Sequence, residues 1–286
     1  MSFISPRYSN HSIGRFALSN DELSQLAPSA FAIAKHESRS ERYAYIPTVD
    51  VIEGLRSNGF LPMFAKQGKS RVEGKAEFTK HLIRFRYQGQ GPTMRQVGET
   101  FPEVVLVNSH DGTSAYKLMA GLMRLVCLNG MVVSDREFAT VTVPHKGDVI
   151  GQVIEGSCTV LGESRKAIEA ADAWAGVTLN RDEQHALAEA AHVIRFGDAE
   201  GTTDTVIKPE QMLVPRRNAD AGNDLWRTFN RVQENAIRGG MSAWGRDANG
   251  RPRRTTTRDV NGIDADVKIN KALWMLGERM AQIKNA

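Results

Sequence analysis

His110 and Asp111 follow directly on an apolar, β-branched run at residues 104–107 (VVLV), so they stand at the mouth of a buried strand. That is a common station for catalytic groups in α/β and α+β proteins. An imidazole can take a proton and an adjacent carboxylate can orient it, which is hydrolase or nuclease chemistry, and His81 or His145 could join His110 as metal ligands. The competing reading is structural, with Asp111 capping the next element and His110 bonded to backbone. A second constellation, His185, Glu189 and His192, falls at i, i+4 and i+7 on one helix face with spacing suited to zinc or another transition metal. The polar side of an alanine-rich surface helix offers the same residues without a metal. The GKS at residues 68–70 is no P-loop, because the motif needs glycine where Met63 stands. With no GxSxG, HExxH or dinucleotide glycine fingerprint, the sequence leans away from an enzyme and implies no cofactor.

The positive charge is more telling. The 286 residues carry a net charge of +4, 41% hydrophobic and 24% charged residues, ordinary for a globular protein. Read in blocks, residues 1–63 balance, 64–95 carry +6, 96–205 carry −8 and 206–286 carry +6. Two basic segments flank an acidic middle, which favours a polyanion if the two meet in space. Residues 79–87 (TKHLIRFRY) alternate with period two, placing Lys80, Arg84 and Arg86 on one face and His81, Ile83, Phe85 and Tyr87 on the other. Residues 244–262 contain an Asn249-Gly250 turn signal between polar arms, with Arg251, Arg253, Arg254 and Arg258 available to phosphates and Trp244 to a base. No apolar run approaches the roughly 18 residues of a membrane span, and the first residues lack a signal-peptide core, so a cytoplasmic protein away from membranes is expected. Cys127 and Cys158 have no zinc spacing and read as free thiols.

The elements that must position these groups centre on residues 104–133. The spacing predicts a strand at 104–107, a polar turn, a mostly apolar helix begun by Asp111 or Thr113 and ended by Asn129-Gly130, and a further strand. On that helix Lys117, Gly121 and Arg124 share a stripe, and the mid-helix glycine points to close approach by another backbone or by a ligand lying between two cations. The resulting fold class is α+β, a mainly antiparallel sheet packed on a central apolar helix. Its organisation reads as an irregular segment at 1–40, an α+β core at 41–147, an acidic helical segment at 148–205 facing solvent or a neighbouring subunit, and a basic helical part at 206–286, together one unit.

The stretches RYAYIPT (42–48), FTKHLIRFR, NSHDGTSA, RLVCLNG, VPHKGD, DLWRTFNRVQENAIRGG and INKALW resemble the phage and plasmid family called domain of unknown function 932. That resemblance implies a mobile-element, cytoplasmic setting and assigns no catalytic residues. The element order is also similar to the β-rich core of phage single-strand annealing recombinases, a likeness of fold alone. The leading expectation is therefore a nucleic-acid-binding protein of a mobile element, preferring single-stranded DNA, annealing-like and self-assembling into a homo-oligomer. Phosphates would be held by Lys80, Arg84, Arg86, Lys117, Arg124, Arg251, Arg253, Arg254 and Arg258, and bases stacked on Tyr87 or Trp244. The alternatives are a metal-dependent nuclease or hydrolase around His110 and Asp111, and an anti-defence or host-interaction factor.

Overall fold

Residues 104–107 do form the middle of a strand, and around it the computed structural model builds a six-stranded antiparallel sheet. The structure describes residues 16–34, 45–70, 72, 74–89, 100–124, 129–133, 140–198, 200–201, 205–247 and 249–285. Strands β1 (Phe60–Gln67), β2 (His81–Tyr87), β3 (Thr100–Asn108), β4 (Tyr116–Arg124) and β5 (Asn129–Val132) lie side by side in that order, and β6 (Val141–Val143) pairs with the first half of β4. The class is α+β, as expected.

The central helix is not there. Residues 116–124 are a strand, Asn129-Gly130 opens β5 rather than ending a helix, and 125–128 with Cys127 lie outside the described residues. Tyr116, Leu118, Ala120 and Leu122 join the main core, while Met119 enters a second cluster on the opposite face of the sheet. A strand buried on both faces reads as an unbroken apolar run, and Leu, Met and Ala all have good helix propensity, so the local pattern looks helical until pairing on both sides decides it. The stripe of Lys117, Gly121 and Arg124 dissolves with the helix. In the strand, Lys117 and Gly121 share one face and Arg124 points to the other.

After the short helices α1 (Asn20–Leu26) and α2 (Thr48–Ser57), the long helix that packs on the sheet is α3 (Val149–Ala175), from the acidic segment expected to face solvent or a neighbouring subunit. Asp148 caps it, its side chain accepting from the Gly151 amide at 2.9 Å. A Cβ at Gly156 would lie 2.7 Å from Leu118, so glycine lets the helix close on β4. Ser164 donates its hydroxyl to the Glu103 carbonyl at 2.9 Å, tying α3 to β3. Behind it lie α4 (Arg181–Phe196), α5 (Leu225–Arg238) and α6 (Ile263–Lys284). Trp174, Trp226, Phe229 and Trp274 lock α3, α5 and α6 together, with the Trp174 and Trp274 rings 4.6 Å apart. The N-terminal half of α6 crosses the other face of the sheet, placing Ile263 and Val267 against Leu82, Val105, Val107 and Met119. No helix among the described residues is long and apolar enough to cross a membrane.

The alternation of β2 is as expected, but its basic face is covered. Glu103 on β3 is 1% exposed and receives two guanidiniums: Arg84 Nε donates to Oε2 and Arg86 Nη2 to Oε1, each at 2.8 Å. Arg84 lies flat over Gly121 and Gly130 and also donates to the carbonyls of Leu122 (3.1 Å) and Met131 (2.8 Å). A Cβ at Gly121 would stand 3.0 Å from Arg84 and 2.7 Å from Val105, and one at Gly130 would occupy the guanidinium itself. The close approach inferred from Gly121 is thus made by Val105 first, then by Arg84 and the Met131 carbonyl at 3.2 Å.

Removing the carboxylate strands two buried cations. Glu103→Ala is expected to lower stability by about 3–5 kcal/mol in urea unfolding, and Gly130→Ala by about 1–3 kcal/mol through overpacking. A Glu103→Ala loss below about 1 kcal/mol, the scale of an exposed pair, would contradict the buried ion triad.

Candidate functional site

Four of the stretches that carry the family resemblance converge on one buried cluster. The hydroxyl of Thr48, at the start of α2 (Thr48–Ser57), is surrounded by His81 on β2, Asn108 and His110 at the end of β3 and Tyr116 on β4, and His145 after β6 joins through Asn108. The Nε2 atoms of His81 and His110 each lie 3.0 Å from Thr48 Oγ1, and Asn108 Nδ2 donates to the same oxygen at 3.1 Å. His145 Nε2 is 3.0 Å from Asn108 Oδ1, and His81 Nδ1 is 2.9 Å from Ser29 Oγ. A hydroxyl has one proton and two lone pairs. With Asn108 filling one lone pair, Thr48 donates to one imidazole and accepts from the other. His110 Nδ1 has no hydrogen-bond partner among the described residues. The assignment that strands no proton makes His110 Nε2 the donor, and His81 the acceptor that passes its Nδ1 proton to Ser29.

The expected partnership of His110 with Asp111 does not form. The Asp111 carboxylate turns into its own loop, accepting from the Thr113 amide at 3.0 Å and hydroxyl at 2.6 Å. Burial pushes that carboxyl up, but the Thr113 and Ser109 hydrogen bonds and nearby Lys75 outweigh it and hold it below the usual range. His110 is instead brought beside His81 and His145, with ring centroids 5.6 and 6.4 Å away, as the metal reading required. The geometry is that of hydrogen-bonded rings, and among the described residues no group of three His, Cys, Asp or Glu could hold a metal ion. His81 and His110 are both sealed from solvent. Burial, with neighbouring imidazoles second, pushes His81 down to about 3 and His110 to about 4, and burial lowers His145 as well.

His185, Glu189 and His192 separate in the same way. His185 Nδ1 lies 3.3 Å from Glu189 and Nε2 2.9 Å from Glu210, while His192 turns inward and puts Nε2 2.8 Å from the Ile207 carbonyl.

The basic candidates divide between interior and surface. Arg84 and Arg86 are spent on Glu103, and Arg124 is fully buried in an ion pair with Asp220. These three are corrected from phosphate ligands to internal ion-pair members: a cation already desolvated and paired has little left to offer a polyanion. Lys80 chelates Asp264, both oxygens at 2.7 Å, and Tyr87 packs on Phe60 with ring centroids 5.2 Å apart. Lys117 is exposed.

What remains together at the surface is the predicted hairpin. Strands β7 (Ser242–Arg246) and β8 (Pro252–Thr256) pair antiparallel, with Gly250 at φ 76° in the turn. Asp247 Oδ1 accepts from the Asn249 and Arg251 amides, both at 2.9 Å, which fixes the turn. At its base, Gly239 (φ 61°) ends α5, the Gly240 amide donates to the Thr257 carbonyl at 2.8 Å, and Arg195 donates to the carbonyls of Ala236 and Arg258. The register puts Ser242, Trp244 and Arg246 opposite Thr256, Arg254 and Pro252 on one face. The other face leans on the body, since a Cβ at Gly245 would meet Val206 at 2.6 Å. Trp244 is therefore turned outward, 72% exposed, directly across from Arg254, and Arg251, Arg253 and Arg258 are exposed as well. Sequence reasoning missed Arg246, which flanks Trp244 two residues on, and the hub residues Thr48, Asn108 and Tyr116. The alternation of the hairpin arm could have found the first, whereas no local signal marks a hub assembled from separate strands.

Residues 35–274 match the family model described as a domain of unknown function (DUF932). Two proteins of Escherichia coli (strain K12) are similar along most of the chain. The UPF0380 protein YafZ is 48% identical over 264 residues, 92% of this chain and 91% of that protein. The UPF0380 protein YfjQ is 47% identical over 264 residues with the same coverage. No solved structure matches.

The histidine cluster makes stability depend on pH. Folded His81 and His110 stay neutral down to about 3 and about 4, whereas the unfolded chain takes up those protons near its ordinary value of about 6.5. Their contribution is complete above about pH 6.5 and is lost as pH falls toward 4, by about 1.4 kcal/mol per pH unit for each ring. Urea midpoints should fall along that window, and His110→Gln should remove one ring's share of the slope; a flat profile would contradict the buried neutral cluster.

Proposed function

This chain belongs to the family described as a domain of unknown function (DUF932), and we propose that it binds nucleic acid through the β7–β8 ribbon, with single-stranded DNA as the preferred form. The observation that carries the reading is Trp244, an indole 72% exposed on the outward face of a ribbon and paired across the strands with Arg254. Large aromatic side chains are seldom left in water without a use, and an exposed indole between cations is the arrangement that stacks on an unpaired base while phosphates are held beside it. Residues 242–258 contribute five arginines against the single acid Asp247. The single-stranded preference follows from stacking, because a base inside a duplex presents only its edge. The setting that goes with this reading is the cytoplasm, on a mobile genetic element.

A labelled oligothymidylate titrated at several salt concentrations tests it. Binding should weaken linearly in log–log form as salt rises, and Arg253→Gln or Arg254→Gln, each removing one cation from the phosphates, should reduce the slope by about 0.7. Trp244→Ala should cost about 1–3 kcal/mol of affinity. Tighter binding to a duplex of the same length would move the ribbon into a major groove instead. Absence of binding at low salt, or affinity untouched by all three substitutions, would overturn the proposal.

A further inference from the structure

Where α6 crosses the sheet, one flank of the helix leaves a cavity of about 570 Å³. Its floor is apolar, with Val107 and Met119 from the sheet and Val267 and Met275 from α6, and Met275 is 51% exposed. Over this floor stand three lysines, Lys117 on β4 and Lys268 and Lys271 on α6. Asp264 also lines the cavity, but both of its oxygens are taken by Lys80. None of the three lysines has a carboxylate within ion-pair distance among the described residues. Lys271 Nζ donates to Thr140 Oγ1 at 2.9 Å, leaving two of its three protons for another acceptor. Burial first, and Lys117 second, hold the Lys271 ammonium below its usual range.

Three like charges gathered over an apolar floor repel one another unless an anion sits among them. The contrast with the cavity on the other flank of α6 is instructive. That space, about 450 Å³, is also lined by cations, but Lys66 is paired with Asp266, Arg84 with Glu103 and Arg238 with Glu234, which leaves Lys69 there beside Asp259. Of these two cavities, the lysine groove is the one that gathers three cations with no ion-paired carboxylate of their own among the described residues, its one acid, Asp264, being engaged by Lys80. Ammonium groups are compact point charges suited to phosphate oxygens, and their number favours a dianion over the single charge of a phosphodiester.

We infer that this groove binds a phosphomonoester, its dianionic phosphate held among Lys117, Lys268 and Lys271 and its organic body lying on Met119, Val267 and Met275. The same chemistry is presented by a free mononucleotide and by the phosphorylated end of a strand. The site stands apart from the hairpin and holds whether or not the ribbon binds DNA.

Calorimetric titration of the full chain with adenosine 5′-monophosphate, adenosine, and oligothymidylates carrying a 5′-phosphate or a 5′-hydroxyl tests it. The monophosphate should bind where adenosine does not, or the 5′-phosphate should strengthen strand binding; which of the two occurs identifies the source of the phosphate. Lys117→Gln with Lys268→Gln should lower that affinity by about tenfold or more, and Lys271→Gln should act in the same direction. Lys117 and Lys268 are exposed, so an unchanged urea midpoint shows that the double variant is folded. Trp244→Ala should leave monophosphate binding intact, which separates this site from the ribbon. Equal binding of adenosine and its monophosphate, no effect of phosphate in either form, or undiminished affinity in the folded double variant would overturn the inference.

Discussion

The buried carboxylate of Glu103 is the constraint from which much of the architecture follows. A charge on a central strand is tolerable only when paired and hydrogen-bonded, and here it draws both arginines of the neighbouring strand inward. Arg84 then needs a surface on which to lie, which makes Gly121 and Gly130 obligatory, and needs acceptors, which Leu122 and Met131 supply from their backbones. Arg86 packs its guanidinium 3.7 Å above the Phe101 ring. The register of β2, β3, β4 and β5 is thereby tied to one ionic group. A slip of one residue would throw charge into the apolar face covered by α3.

The same constraint decides which cations remain for a partner. Arg84, Arg86 and Arg124 add to the formal positive charge of the chain, yet they are buried and engaged inside, the first two sharing Glu103 and the third paired with Asp220. Cations with no carboxylate partner among the described residues gather on the ribbon and in the lysine groove beside α6. Both depend on the C-terminal part: α5 ends at Gly239 so that the ribbon can leave it, and α6 returns across the sheet to form the groove wall.

Much of this was legible in the sequence where a signal was local. Period two in residues 79–87 and the Asn249-Gly250 turn each act over a few residues, and each produced the expected element. Residues 116–124 failed because burial on both faces erases the alternation that marks a strand, leaving composition to speak for a helix. The fate of Arg84 and Arg86 was likewise hidden. A stripe of cations on one strand shows the same pattern whether solvent or a carboxylate on the next strand faces it, and Glu103 stands in a different segment. The histidines could be paired by type but not placed, since Thr48, the hub that gathers them, comes from a helix distant in sequence.

The most direct measurement is photocrosslinking of a strand carrying a halogenated uracil, followed by mass spectrometric localisation of the adduct. Stacking on an exposed indole predicts an adduct at Trp244, the only one of the four tryptophans that is exposed. Adducts confined to the segment bearing Arg84 and Arg86, with none on the ribbon, would contradict the claim that the sheet cations are internal and that the ribbon meets the nucleic acid.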